Sequence, residues 1–267
     1  MRFLIMTDIE GVTGVTTYHQ AENTQFGRDM LMNDLLAVID GIRSEGHHDI
    51  VVYDMHTDGR NVDISRLPED VPVVMGKPIN GKLYRGTGGD YDGLFMVGLH
   101  GMSHVPEAML AHSYLREYDS IHVNEDLVGE IGMECLLAGE QGFPLVFVSG
   151  DDKGCQEAEK FMPGVVTAVV KKSLDAAQAV CDSPAKTGKT LQEAAARAVK
   201  KAAELAPRKT RMPVTIRIAF SDCDYLQIMK EIHPEIFVNN REAVMKGNNL
   251  LEVWSEYLAM EREMVTK

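Results

Sequence analysis

Scarcities in this sequence exclude more than its abundances assert. Its four cysteines, Cys135, Cys155, Cys181 and Cys223, lie far apart with no CxxC pair. That spacing argues against a disulfide framework or a thiolate zinc site and for reduced thiols in a cytosolic protein. Positive charge is in deficit: 27 Lys and Arg against 40 Asp and Glu leave a formal net charge of −13. This is the wrong sign for a duty built on neutralising phosphates, and the basic residues of 198–211 are dispersed, so nucleic acid is not an expected partner. No apolar run approaches the roughly 18 residues that cross a bilayer, and the N-terminus enters a strand without an apolar signal segment. The expectation is a cytoplasmic protein with no membrane partner. Internal repeats are lacking too, and the Ala/Lys-rich stretch 193–204 reads as a helix with an exposed face.

What is present suits an ordinary globular protein: 267 residues, 45% hydrophobic and 25% charged, give length for one large or two modest domains. Short apolar runs at 3–6, 50–53, 71–75, 94–98 and 145–149 read as parallel strands buried on both faces. Leu31, Leu35, Val38, Ile39 and Ile42 mark one face of a helix between the first two, with Gly46 as its expected C-cap. "IHVNEDLVGE" (121–130) reads as two short strands about a turn, leading into a helix at 131–139. "SGDDKG" (149–154) reads as a strand end with an Asp N-cap. Beyond residue 163 come a strand at 165–170, a helix near 191–205, a strand at 214–220 and a last helix near 248–264. The predicted fold class is α/β, a mostly parallel sheet with flanking helices plus a second, smaller α/β domain. The expected division is a catalytic domain at 1–162 and a smaller one at 163–267.

Polar residues gather where these strands stop. Asp8 and Glu10 end the first, Asp54 and His56 the second, and His100 ends "LFMVGLH". In open parallel sheets, ligands bind beyond the carboxyl ends of the strands, so three such ends converge on one crevice. Residues 101–130 add His104, His112, His122 and Glu130. Carboxylates and imidazoles without cysteine suit zinc or another divalent first-row ion, and a set this rich has room for two. Each residue also has a plainer reading. Asp54 can brace the ring of His56, His100 can be a core histidine, and Glu130 can be a first-turn acid. His122 alternates with apolar neighbours, His47 and His48 fall at the opposite sheet edge, His233 sits in a turn, and His104 carries less weight than His112.

Six segments in order, "TDIEGVTGV" (7–15), "DMHTDGRN" (54–61), "VGLHGM" (97–102), "AHSY" (111–114), "VNEDLVGEIG" (123–132) and "PLVFVSGDD" (144–152), resemble the M55 family of peptidases, the D-aminopeptidases of the dipeptide-transport type. The resemblance implies two zinc ions per subunit, with Asp8 bridging both, Glu10 and His56 completing one, and His100 and Glu130 completing the other. It gives His112 the part of catalytic nucleophile or base. It further implies short peptide substrates with an N-terminal D-amino acid such as D-alanine, and a homo-oligomer in the form of a decameric ring. Thr7 stands where Ser is common in the family, and Thr57 where Gly or Ser is. The rival expectations are a two-metal phosphoesterase, with Arg60 as its phosphate contact, an amidohydrolase of other specificity, and a non-catalytic metal- or peptide-binding protein.

Overall fold

The computed structural model describes residues 1–77 and 90–265. Strand β1 (Arg2–Thr7) leads through a turn into helices α1 (Tyr18–Asn23) and α2 (Gln25–Arg43), then β2 (Asp49–Asp54), β3 (Val73–Val74) and β4 (Gly93–Leu99). A hairpin of β5 (Tyr118–Val123) and β6 (Asp126–Val128) opens into α3 (Glu130–Glu140). Next come β7 (Leu145–Asp151), α4 (Asp152–Phe161), β8 (Val166–Asp175), β9 (Gln178–Cys181) and α5 (Pro184–Lys201). Last are β10 (Val214–Phe220), α6 (Asp224–Ile232), β11 (Glu242–Gly247) and α7 (Leu250–Val265).

Seven strands form one sheet in the order β3-β2-β1-β4-β7-β8-β9, parallel throughout except for β9 against β8. Strands β4 and β7 are buried at every position, which only a sheet covered on both faces allows. Side-chain alternation sorts these runs into two layers. Phe3, Ile5, Phe95 and Val97 face α2 and α5, packing with Leu31, Leu35, Leu191 and Ala195. Leu4, Met6, Leu94 and Met96 face α3 and α4, packing with Ile131, Cys135 and Ala158. Helices α2 and α5 approach closely because Gly41 meets the Ala-rich face: a Cβ at residue 41 would lie 2.3 Å from the carbonyl oxygen of Gln192.

The second sheet is antiparallel, in the order β11-β10-β5-β6. Strand β10 alternates, with Val214, Ile216, Ile218 and Phe220 buried and Arg217 exposed. Its buried face packs on Met133 of α3 and on Trp254 and Tyr257 of α7.

The α/β class and the mostly parallel sheet agree with the sequence reading. The sheets, however, do not part between residues 162 and 163. Strands β8 and β9 extend the first sheet, with backbone pairs running from Phe147–Val166 to Asp151–Lys171. The hairpin β5–β6 precedes that point yet pairs with β10, because its alternating apolar face needs a partner sheet of its own kind. Helix α2 is capped at Ser44, whose amide bonds the Asp40 carbonyl, and Gly46 follows in the left-handed region at φ 122°.

Candidate metal centre

Strand β1 has β2 on one side and β4 on the other, so the parallel order reverses beside it and opens a crevice at the carboxyl ends. Asp8 follows β1 directly, and its amide donates to the Val97 carbonyl at 2.8 Å. The amide of Gly11 donates to the Gly98 carbonyl at 2.7 Å, and a Cβ at residue 11 would sit 1.8 Å from the Leu99 oxygen. Glycine is thus what lets the Asp8–Glu10 turn lie flat against the end of β4, which carries His100. His56 stands two residues past β2, and Glu130 is the first residue of α3. His112 comes from the β4–β5 loop, between Leu110 and Tyr114, both held in the left-handed region at φ 52° and 63°. Bulky residues pay of order 1–3 kcal/mol for that conformation. Here it turns the Leu110 carbonyl onto His112 Nδ1 at 2.9 Å and the Tyr114 amide onto Glu130 Oε1 at 2.8 Å.

The six residues converge. His56 Nδ1 lies 2.9 Å from Asp8 Oδ1 and 3.1 Å from Glu10 Oε2. His100 Nε2 lies 3.4 Å from Asp8 Oδ2 and 3.5 Å from Glu130 Oε1, and His112 Nε2 is 3.7 Å from the same Glu130 oxygen. The His100 and His112 rings stack, with centroids 4.2 Å apart and planes 8° from parallel. Two triads, Asp8–Glu10–His100 and His100–His112–Glu130, each bring their donor atoms within 4.8 Å of one another. All but His112 are buried.

This donor set fits a cation. Asp8 Oδ2, Glu10 Oε2, His56 Nε2 and His100 Nε2 are buried without a hydrogen-bond partner among the described residues, an arrangement that costs free energy unless something else satisfies it. His100 Nδ1 donates to the Gly101 carbonyl at 3.0 Å, which turns the Nε2 lone pair inward as metal-ligating histidines require. Without a cation, protons balance the charge. Burial pulls His56 down, but its bonds to Asp8 and Glu10 prevail and raise it to about 11; His100 is likewise raised against burial by Glu130 and Asp8. Burial and the Glu10 charge push Asp8 up to about 7. Glu10 and Glu130, though buried, are held below the usual carboxylate range, Glu10 chiefly by His56 and Glu130 chiefly by His100. Burial and the charge on His100 lower His112, leaving its imidazole neutral at neutral pH.

Residues outside the expected ligand set support this group. Asp54 does not brace the His56 ring: its carboxylate accepts from the amides of Asn61 and Val62 and from Asn61 Nδ2, and Asn61 Nδ2 also donates to the His56 carbonyl at 2.8 Å. It thereby closes the loop that presents His56. Glu157 of α4 accepts from the amides of Gly129 and Gly132, on either side of Glu130. Asp151 caps α4 through the Gly154 amide, as expected, and also receives the Gly101 amide at 3.3 Å, beside His100. His104 lies away from the group, exposed against Asp119. Arg60 is exposed and paired with Asp58. A cavity of about 570 Å³ opens over Asp8, Glu10, His56, His112 and Glu130. Its walls add Tyr18, Arg116 and Glu117, with Tyr225, Leu258 and Glu261 from helices of the second sheet.

A parallel sheet with a carboxylate–imidazole cluster at its switch point defines a class of α/β proteins with a metal-type site. The family follows from comparison: the M55 peptidase family, described as D-aminopeptidase, matches residues 1–257, and the chain belongs to it. A D-aminopeptidase of Bacillus subtilis (strain 168) is 25% identical over 267 residues, covering 97% of this chain and 96% of that one. A solved structure, described as the Zn-dependent D-aminopeptidase DppA from Bacillus subtilis, a self-compartmentalizing protease, superposes with a TM-score of 0.89 at 23% identity. It covers 100% of this chain and 99% of its own, so the two share one fold.

Proposed function

We propose that this protein is a zinc-dependent aminopeptidase that removes an N-terminal D-amino acid, of the D-alanine type, from short peptides or amides at a two-metal site. The observation that carries the reading is the convergence of Asp8, Glu10, His56, His100 and Glu130, with four of their polar atoms buried and without a hydrogen-bond partner among the described residues, beneath a cavity that His112 also faces. In this reading Asp8 would be shared by two zinc ions, Glu10 and His56 would hold one, and His100 and Glu130 would hold the other. Zinc held there supplies Lewis acidity toward a carbonyl oxygen and acidifies water toward neutrality. His112 does the proton transfer. Its Nδ1–H is committed to Leu110, so Nε2 is the atom that takes a proton and returns it to the leaving amine. Tyr18 packs edge-on against the His112 ring, 5.7 Å between centroids, and holds it in place from the cavity side. Glu117 on the cavity wall, with Glu22 beside Arg116 at 3.8 Å, is the acidic group available to the free ammonium that an exopeptidase must recognise.

The D preference rests on membership of the family, and assembly into a homo-oligomer is supported by the relative described as self-compartmentalizing, while the decameric ring rests on the family resemblance alone. A cytoplasmic location is supported by four unpaired cysteines. No helix among the described residues is long and apolar enough to cross a membrane. Arg60 is not part of the cavity lining, but Lys77, Arg116 and Arg262 are, so a phosphatase screen is the measurement that separates the phosphoesterase alternative. The test is His112→Ala on paired D- and L-alanyl amides, with zinc read by elemental analysis. The variant keeps its zinc and loses about 10²–10⁴-fold in turnover, the range of general acid–base catalysis. Unchanged turnover sinks the role of His112, and equal wild-type rates on both enantiomers sink the D preference.

A further inference from the structure

Lysine is seldom taken out of water unless its charge or its donors are needed. Lys171 of β8 is 2% exposed, while Lys172 beside it is exposed and Leu174 is 51% exposed. The strand turns a cation inward and a leucine outward at its carboxyl end. Lys171 pairs in register with Asp151, which places it at the end of the sheet where β1 and β4 also stop. Its Nζ donates to the carbonyl oxygens of Glu10 and Val15, spanning the turn that follows Asp8. The same turn is gripped a second time. Thr13 donates from its amide and its Oγ1 to the Asp34 carboxylate of α2, at 2.9 and 2.8 Å, and Thr13 Oγ1 lies 2.9 Å from Thr187 Oγ1 of α5. Lys171 does not line the cavity, so substrate is not its partner.

We propose that Lys171 is a positioning residue of the metal centre: by fixing the Glu10 and Val15 carbonyls it sets the turn from which Asp8 and Glu10 reach His56 and His100. The proposal rests on the reading of those residues as zinc ligands. Other roles for the lysine predict different results. Acting only through charge, its loss would leave more negative surroundings and tighten a bound cation. Acting only as core filling, its loss would lower stability and leave affinity alone. Positioning alone predicts weaker binding.

The experiment titrates metal-free protein with zinc against a competing chelator and records thermal unfolding of the same samples. Lys171→Met, which keeps the stem and removes the donors, weakens zinc 10- to 100-fold, the usual cost of losing a partner just outside the ligands. Ile218→Ala, a core change in the second sheet, lowers the unfolding temperature and leaves zinc affinity at the wild-type value. Zinc binding by Lys171→Met that is unchanged or tighter overturns the proposal while the site reading stands. Wild-type protein that takes up no zinc overturns both. Should Lys171→Met not fold, Lys171→Gln, with a shorter donor, weakens zinc in the same direction, and an unweakened affinity there overturns the proposal equally.

Discussion

The two sheets put polar residues in opposite places. The parallel sheet buries both faces, so its strand interiors are apolar and its chemistry is confined to the strand ends: Asp8, Glu10, His56 and His100 all lie just past a last residue. The antiparallel sheet has one wet face, so Arg217 and His122 sit within its strands, and its cavity contribution is a wall, through Tyr225, Leu258 and Glu261. The lesson is a division of labour: one sheet holds the proposed metal ligands and the other shapes the space above them. Glu130 joins the two, since it starts the helix that leaves the second sheet.

The comparison is broken most severely at Asp8. Asp8→Asn is expected to lose both zinc ions and turnover with them, and Glu10→Gln mainly one ion; elemental analysis per subunit decides, and full zinc in Asp8→Asn would refute the strand-end site. Next in size, Ile218→Ala in the second sheet costs about 2–5 kcal/mol of stability by leaving a cavity, with zinc stoichiometry intact. A zinc deficit in that variant would show that the sheets do not divide the work. Asp54→Asn loosens the loop carrying His56 and weakens zinc about 10- to 100-fold, read by chelator competition. The gentlest test is pH. In the metal-free protein His56, raised to about 11, holds a proton across the neutral range, and Asp8, raised to about 7, takes one up as the pH falls below that. Zinc must displace them, so affinity rises with pH and falls further as Asp8 takes up its proton below about 7. Calorimetry in buffers of different ionisation heat should show net proton release; proton uptake would contradict this.

The apolar runs made the parallel sheet legible in the sequence, and the residues just past them named Asp8, Glu10, His56 and His100, whereas His112 and Glu130 were singled out from segment 101–130 by the family resemblance. Less legible was what had no such contrast. Strand β11, Glu242–Gly247, buries only Ala243 and Met245, and its apolar stretch is only three residues long. Strand β3 shrank to two residues of an apolar stretch of five. Supporting residues hid among look-alikes: Lys171 stands next to an exposed lysine, and Glu157 two positions from exposed Glu159. Only the fold separates such neighbours, because burial of a charged side chain depends on partners distant in sequence. Asp54 shows the converse. Proximity to His56 suggested contact with its ring, but the carboxylate turned to the amides seven and eight residues ahead.

The tether from Lys171 to Glu10 spans 161 residues, and this has a consequence for the order of events during synthesis. A chain translated as far as residue 162 already contains Asp8, Glu10, His56, His100, His112 and Glu130, yet the lysine beneath the first turn is still unmade. On the proposed role of Lys171, the first strand to leave the ribosome waits on one of the last in its sheet before its two acids are held in place, and metal capture would be a late step.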